Sequence, residues 1–301
     1  MKPNALGRIL LLCFGLLTLL PAGAAVTPFE NVDASQRQMA FQATVRNITV
    51  LRPAVAASQP APLIVMLHYL GGVGDDMADL TAVSELVRDH GAWVILPEAY
   101  NGKWNYNMLG GEYSTVNDVA FLDSLISDAL ARYPVDPARV YMVGYSGGGM
   151  MTLRYACERP QRIAAAAVAG ALLIRSLADK CDTRAPMPMA LFQGEFDTVM
   201  EYGGDSIIMS APETAYFWAA ANGCAPQPLS TFLLNGIVDE TLVHLDRWGA
   251  CSNGEAVELY SVLGGGHTWP GTLDHSPGLG RTTQDVSATT ALWSFFSRFS
   301  R

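Results

Sequence analysis

Short, continuous runs of apolar residues recur along this chain, separated by stretches with helical spacing. The apolar runs occupy residues 63–67, 93–96, 140–143, 163–168 and 187–192, and the helical stretches occupy roughly 76–90, 116–133, 148–157 and 211–221. Continuous apolar runs are typical of parallel strands that are buried on both faces. Their alternation with helices predicts an α/β fold with one mostly parallel sheet, right-handed crossovers and helices on both faces.

The ends of the predicted sheet are less regular. Residues 41–51 alternate like an edge strand, residues 256–262 indicate a last strand, and residues 284–299 indicate an amphipathic closing helix. We interpret the Gly-, Pro- and Asn-rich region 222–254 as an insertion over the carboxyl edge of the sheet, where the ligand crevice of such folds lies. No repeat and no Ser/Thr/Pro-rich linker follows residue 60, so we expect one domain over residues 25–301.

The first 24 residues have the three parts of a secretory signal peptide. Lys2 and Arg8 precede an apolar run at 9–20, and the small residues 22–24 follow it. A permanent membrane anchor is the alternative, but the run has about twelve residues where a bilayer needs ~20. We expect cleavage after residue 24, a secreted or periplasmic mature chain, and no stable membrane insertion.

Four cysteines follow the signal segment, and an even number in an exported chain predicts two disulfides. Three pairings are possible. Pairing neighbours along the sequence, Cys157 with Cys181 and Cys224 with Cys251, closes loops of about 25 residues that are each worth ~3 kcal/mol. Zinc sites use closely spaced ligand pairs such as C-x-x-C, and none occurs, so we expect no metal site.

Charge and missing motifs exclude several classes of function. The formal net charge is −9, and no run of Lys or Arg exists that could follow a phosphate backbone, so nucleic acid is not an expected partner. The sequence contains no phosphate-binding G-x-x-x-x-G-K-[ST], no H-E-x-x-H and no dinucleotide-binding G-x-G-x-x-G in the first strand–helix unit. We therefore expect chemistry without a cofactor.

The motif G-x-S-x-G occurs at residues 144–148, between a predicted buried strand and a predicted helix. This strand–turn–helix context is the one that a nucleophile elbow requires, and it predicts Ser146 as the nucleophile. The helix that begins at Gly147 directs backbone N–H groups at developing negative charge. The alternative is a glycine-rich helix cap that contains an ordinary serine.

A serine nucleophile needs a general base, which in this arrangement follows it in the chain. His267 lies in the glycine-rich loop 264–271 directly after the last predicted strand, and we predict it as the base. His244 falls in an alternating stretch and His275 in a polar loop, which favours non-catalytic roles for both. His68 precedes the nucleophile and is interpreted as a core histidine.

The predicted strand 187–192 ends in a segment with two carboxylates, Glu195 and Asp197. Because that strand end lies at the carboxyl edge of the sheet, either carboxylate can orient His267. We predict Asp197 as the acid and keep Glu195 as the alternative.

An oxyanion hole needs two positioned N–H donors. The residue after the nucleophile, Gly147, supplies the first, and the loop 68–72 after an early strand supplies the second. We assign the second donor to Leu70, with Tyr69 as the alternative.

Three aromatic residues fall in loops near the predicted crevice, Trp104, Tyr106 and Trp269. We predict that they bind substrate by stacking on an aromatic acyl group or a sugar. The alternative is that they are ordinary core aromatics.

Several ordered segments resemble a known family. They are LHYLGG (67–72), PEAYNGKWNYN (97–107), NDVAFLDSLI (117–126), VDPARVYMVGYSGGGMM (135–151), ACERPQRIAAAAVAG (156–170) and GGGHTWPG (264–271). Together they resemble the secreted polyhydroxybutyrate-depolymerase-like esterases, which include feruloyl esterases and have the α/β-hydrolase fold. The resemblance implies a triad of Ser146, Asp197 and His267, and it supports the pairing of Cys224 with Cys251.

The sequence departs from that family at two positions near the predicted site. Tyr69 stands where the family commonly has glycine in the oxyanion loop, which puts the position of the second N–H donor in doubt. Gln193 stands where the family often has histidine before the acid.

These residues predict a secreted serine ester hydrolase that works through an acyl-enzyme, with feruloyl or acetyl sugar esters as favoured substrates. Depolymerisation of hydroxyalkanoate polymers or oligomers is the alternative among enzymes. A catalytically weak protein that binds carbohydrate or polymer is the alternative from another class, because Tyr69 lies in the oxyanion loop.

Overall fold

Ten strands form one sheet in the computed structural model, which describes residues 31–55, 59–106, 116–252, 254, 256–273 and 278–301. The predicted signal segment 1–24 and His275 lie outside these residues. The strands are β1 (Val32–Phe41), β2 (Thr44–Pro53), β3 (Ala61–Leu67), β4 (Trp93–Pro97), β5 (Val135–Tyr145), β6 (Ala165–Ala169), β7 (Met189–Gly194), β8 (Leu229–Phe232), β9 (Leu242–Trp248) and β10 (Val257–Leu263).

The strand order is β1-β2-β4-β3-β5-β6-β7-β10-β9-β8. The six strands from β4 to β10 in this order run parallel, and the two strands at each end pair antiparallel. All residues of β3, β6 and β7 are buried, which explains their continuous apolar sequences. The predicted α/β fold with a mostly parallel sheet is confirmed.

Seven α-helices among the described residues cover both faces of the sheet. They are α1 (Gly74–Thr81), α2 (Ser84–His90), α3 (Asp118–Arg132), α4 (Gly147–Glu158), α5 (Arg175–Ala178), α6 (Ala211–Ala221) and α7 (Ala288–Phe296). Buried side chains of α3, α4 and α6 belong to one core cluster, and those of α1, α2 and α7 belong to the other. None of the helices in the described ranges has the length and hydrophobicity that crossing a membrane needs.

The structure corrects the sequence analysis in three places. Residues 32–41 form the edge strand β1, which the sequence analysis missed because its outer position leaves most of its side chains unburied. The single helix expected over 76–90 is two helices, because Ala82 adopts a left-handed conformation with φ 49°. Region 222–254 is not an insertion over the carboxyl edge: β8 and β9 extend the sheet at its far end.

A buried ion pair anchors the segment that follows β4. Arg46 on β2 donates from Nη2 to Asp118 Oδ1 at 2.7 Å, and both side chains are almost completely buried. The second oxygen of Asp118 accepts from the backbone N–H of Asn105 at 2.7 Å. The Arg46 guanidinium also lies 4.4 Å from the ring centre of Phe121 on α3. The pair therefore joins the sheet, α3 and residue 105.

Two disulfides are present in the structure. One joins Cys157 near the end of α4 to Cys181, and the other joins Cys224 to Cys251 across the region that carries β8 and β9. These are the neighbouring pairings of the sequence analysis. The second disulfide joins the two ends of the segment that contains β8 and β9.

We expect Asp118→Ala to lower the free energy of unfolding by about 3–5 kcal/mol, because it leaves the Arg46 charge buried without a partner. Asp89→Ala removes an exposed partner of Arg88 and is the matched control, with an expected loss much smaller than that of Asp118→Ala because solvent screens the pair. Urea unfolding of the two variants measures both values. Equal losses would contradict the structural role of the buried pair.

Candidate active site

Ser146 occupies the turn between β5 and α4 in a conformation that few residues adopt. Its φ is 52° and its ψ is −121°. Such a conformation costs about 1–3 kcal/mol and persists where surrounding contacts hold it. The Ser146 N–H donates to Ala169 O at 2.9 Å, and the Ser146 carbonyl accepts from the Met150 N–H at 2.9 Å. The turn is thus fixed on both sides, and Ser146 faces a cavity at the carboxyl edge of the sheet.

Close backbone packing explains the glycines around this serine. A β-carbon on Gly144 would lie 2.2 Å from Gly148 O, and one on Gly148 would lie 2.2 Å from Leu67 O. No side chain fits at such distances. The first turn of α4 therefore lies directly against the end of β3.

His267 links Ser146 to Asp197 through hydrogen bonds. Its Nε2 is 2.9 Å from Ser146 Oγ, and its Nδ1 is 2.7 Å from Asp197 Oδ2. The other oxygen of Asp197 accepts from the N–H groups of Val199 and Met200 at 2.8 and 2.7 Å. Because Asp197 acts as an acceptor toward these backbone donors, we assign the proton of the His267–Asp197 bond to Nδ1, which leaves Nε2 to accept the serine proton.

The alternatives for the acid and the base take other places in the structure. Glu195 is exposed, whereas Asp197 is 3% exposed and directly contacts His267. His244 lies on β9 beside Phe232 and Asp246. His275 lies outside the described residues. The structure brings together Ser146, Asp197 and His267.

Gln193 holds the acid in place, a contact that the sequence analysis missed. Its Nε2 donates to Asp197 Oδ2 at 2.9 Å and to Met200 O at 2.7 Å. The side chain is buried at the end of β7. A polar residue at the carboxyl end of a continuous apolar strand was the signal that could have identified it.

Leu70 and Gly147 lie together beside the nucleophile. A β-carbon on Gly147 would lie 3.3 Å from Leu70 N. Within the described ranges no carbonyl outside α4 accepts from either N–H, and the first N–H of a helix has no partner inside it. Both N–H groups therefore remain able to bind an oxyanion. The Tyr69 side chain does not separate Leu70 N from Gly147, because its ring lies over Gly72.

Buried contacts hold the loop that carries Leu70. His68 Nε2 accepts from the Ala99 N–H at 3.0 Å, which leaves Nδ1 to donate to Tyr69 O at 2.7 Å. Burial lowers the pKa of His68, which favours the neutral imidazole that this pattern requires. Trp104 Nε1 donates to the His68 carbonyl at 2.9 Å. His68 is a core histidine, as the sequence analysis interpreted it.

The predicted substrate contacts of Trp104 and Tyr106 are wrong in this structure. Trp104 is 1% exposed and Tyr106 is 8% exposed, and both belong to the hydrophobic core rather than to the cavity. The Trp104 indole packs on the ring of His68 beneath the oxyanion loop and is not available to a substrate. Trp269 is also buried, at 2% exposed, but unlike Trp104 it lines the cavity, and its Nε1 donates to Thr289 Oγ1.

The cavity above Ser146 has a volume of about 290 Å³ and mostly apolar walls. Its lining includes the aromatic rings of Tyr69, Tyr145 and Trp269 and the apolar side chains of Leu70, Leu80, Val199 and Leu279. A second cavity of about 490 Å³ shares Leu80, Trp269 and Thr272 with the first. Carboxylates and hydroxyls line it, including Asp79, Glu85 and Ser287. Within the described residues, no group of three or more His, Cys, Asp or Glu side chains is arranged to hold a metal ion.

Comparisons with known proteins agree with this fold. A sequence profile described as alpha/beta hydrolase fold matches residues 62–205. Feruloyl esterase B of Piromyces equi is 28% identical over 222 residues, covering 69% of this chain and 39% of that protein. Feruloyl esterase D of Neurospora crassa is 26% identical over 310 residues, covering 94% of this chain and 95% of that protein.

A solved structure shows the same architecture. Acetyl xylan esterase from Aspergillus awamori superposes with a TM-score of 0.58 at 18% identity, covering 78% of this chain and 94% of that chain. At this identity the similarity supports the fold alone.

We expect Asp197→Asn to lower kcat for ester hydrolysis by about 10³–10⁴-fold, because the amide cannot hold His267 in the tautomer that accepts the serine proton. Glu195→Gln is the matched control, since it removes the nearby exposed carboxylate, and it should leave kcat within about twofold. Steady-state kinetics on p-nitrophenyl acetate checks both values. A large loss in Glu195→Gln alone would reverse the assignment of the acid.

Proposed function

We propose that this chain, which has the α/β-hydrolase fold, is a serine carboxylic ester hydrolase. The observation that carries the proposal is the hydrogen-bonded line from Asp197 through His267 to Ser146 at the floor of a cavity. Two unpaired N–H groups lie beside the serine, where a tetrahedral intermediate places its negative charge.

In the first half of the proposed reaction, Ser146 Oγ attacks the ester carbonyl carbon while His267 Nε2 takes its proton. The N–H groups of Leu70 and Gly147 stabilise the resulting oxyanion, and each such donor is worth about 10²–10³ in rate. The intermediate expels the alcohol, which receives the proton from His267. The acyl group remains bound to Ser146.

In the second half, His267 accepts a proton from water, whose oxygen attacks the acyl carbon. The same two N–H groups bind the second oxyanion. When the intermediate collapses, the acid leaves and Ser146 regains its proton from His267. No group outside the protein and water is needed to balance these steps.

The cavity walls support the substrate class that we propose, feruloyl or acetyl esters of sugars. The rings of Tyr69, Tyr145 and Trp269 form a surface that suits a planar aromatic acyl group. The lining of the adjoining cavity includes hydroxyl and carboxylate groups, which suit a sugar as the alcohol part of the ester. The relatives named as feruloyl esterases support this choice.

Hydroxyalkanoate oligomers are a second candidate substrate, favoured by apolar side chains that lie exposed near the cavity. Leu70 and Val199 line the cavity and are 50% and 56% exposed, and Phe196 is 66% exposed. Exposed apolar groups of this kind suit an apolar ester. Comparing hydrolysis of methyl ferulate, acetylated xylo-oligosaccharides and hydroxybutyrate oligomers separates the two candidates.

We also propose that the mature chain is exported. The proposal is supported by the signal-like segment 1–24 and by the two disulfides, which persist in oxidising compartments.

Ser146→Ala should reduce kcat for p-nitrophenyl acetate and butyrate by at least about 10⁴-fold, because the nucleophile is gone while the oxyanion donors remain. The wild-type and variant chains are assayed side by side with circular dichroism as a check on folding. A wild-type chain that hydrolyses no ester would contradict the proposed function and favour a binding protein on a hydrolase fold.

The two tryptophans of the sequence analysis should now behave differently. Trp269→Phe removes part of the aromatic surface that lines the cavity, and we therefore expect KM for methyl ferulate to rise about threefold or more. Trp104→Phe removes the donor to His68 O and should leave KM unchanged while it lowers kcat through the oxyanion loop. Equal KM increases in both variants would contradict the placement of Trp104 in the core.

A further inference from the structure

We propose that Tyr145 is a positioning residue that holds the His267 imidazole in line with Ser146, an inference that depends on the proposed function. Tyr145 is the last residue of β5 and the neighbour of Ser146 in the chain. Its hydroxyl donates to the backbone carbonyl of His267 at 2.7 Å, and this bond is buried. The hydroxyl therefore acts on the base and not on the substrate.

Several contacts hold the loop that carries His267, and Tyr145 supplies the one that comes from the turn of the nucleophile. Three glycines, residues 264–266, precede the histidine, and glycine restricts the backbone least of all residues. The His267 N–H donates to Leu279 O at 2.6 Å, while Tyr145 holds the carbonyl of the same residue. These two contacts fix the residue by its main chain, and Asp197 fixes the ring by its Nδ1.

The Tyr145 ring also packs on the imidazole. The two ring centres are 5.2 Å apart with an angle of 30° between the planes. Gly170, with φ 56°, lies against both rings: a β-carbon there would be 2.9 Å from His267 Cε1 and 3.2 Å from Tyr145 Cε2. Rotation of the imidazole away from Ser146 is therefore opposed by packing as well as by hydrogen bonds.

This arrangement couples the nucleophile to its base through adjacent residues. Ser146 and Tyr145 share one fixed turn, so a shift of the turn moves both the nucleophile and the anchor of His267 together. The Tyr145 contact therefore acts together with the hydrogen bonds of the glycine-rich loop to maintain the distance from Nε2 to Oγ. A displacement of about 1 Å between reacting groups costs up to ~10²-fold in rate, which is the loss that such an anchor prevents.

The same strand supplies a matched control. Tyr141 on β5 is also buried, also donates from its hydroxyl to a backbone carbonyl at 2.7 Å, and also stacks on an aromatic ring, that of Phe296. Its acceptor is Phe299 O after α7, away from the cavity. Tyr141→Phe and Tyr145→Phe thus each remove one hydrogen bond of 2.7 Å from a tyrosine hydroxyl to a backbone carbonyl and keep both rings.

The experiment compares the two phenylalanine variants with the wild-type chain on p-nitrophenyl butyrate. We expect Tyr145→Phe to lower kcat about tenfold with KM changed by less than about twofold, because only the position of the base is altered. Tyr141→Phe should leave kcat and KM unchanged. Both variants should lose a few degrees of Tm, since each loses one hydrogen bond to a backbone carbonyl.

Labelling of Ser146 by a fluorophosphonate gives a readout that does not depend on any ester being the natural substrate. The labelling rate should fall in Tyr145→Phe and stay at the wild-type value in Tyr141→Phe. Unchanged kcat and labelling in Tyr145→Phe, or equal losses in both variants, would overturn the inference. A wild-type chain that is labelled but hydrolyses no ester would contradict the proposed function alone.

Discussion

The contact between the first turn of α4 and the end of β3 determines the rest of the site. Gly148 lies so close to Leu67 O that no β-carbon fits between them. This approach brings the loop after β3 and the turn after β5 together, so that Leu70 N and Gly147 become neighbours. The strained backbone of Ser146 is a consequence, because the chain must reverse from strand to helix within one residue. The oxyanion donors and the nucleophile are therefore products of one packing constraint.

The acid and the base reach this turn from strands β7 and β10, which lie on the side of β5 away from β3. Strands β7 and β10 are parallel neighbours, so the loops that carry Asp197 and His267 leave the same edge. Asp197 is buried, and four donors satisfy its two oxygens: two backbone N–H groups, Gln193 and His267. A carboxylate that is held in this way keeps its position, which is needed to orient the imidazole.

Sequence patterns predicted most of the fold and the centre of the site. The parallel strands followed from continuous apolar runs, and α6 occupies the residues that helical spacing indicated. Ser146, Asp197 and His267 were identifiable because each follows a buried strand. The places of Trp104 and Tyr106 were not, because hydrophobicity does not reveal whether an aromatic residue in a loop packs inward or faces a ligand. Gln193 was missed although Asp197 lies only four residues further along the chain, because a sequence pattern does not show whether a polar side chain at a strand end turns back onto the loop that follows.

The central claim is that Ser146 forms an acyl-enzyme, and trapping that intermediate tests it most directly. Wild-type chain mixed with p-nitrophenyl acetate and quenched by acid within milliseconds can be digested and examined by peptide mass spectrometry. We expect one acetyl group on the peptide that contains Ser146, present before the steady state and lost as turnover ends. Hydrolysis that proceeds with no acetylated Ser146, or with the acetyl group on another residue, would contradict the account.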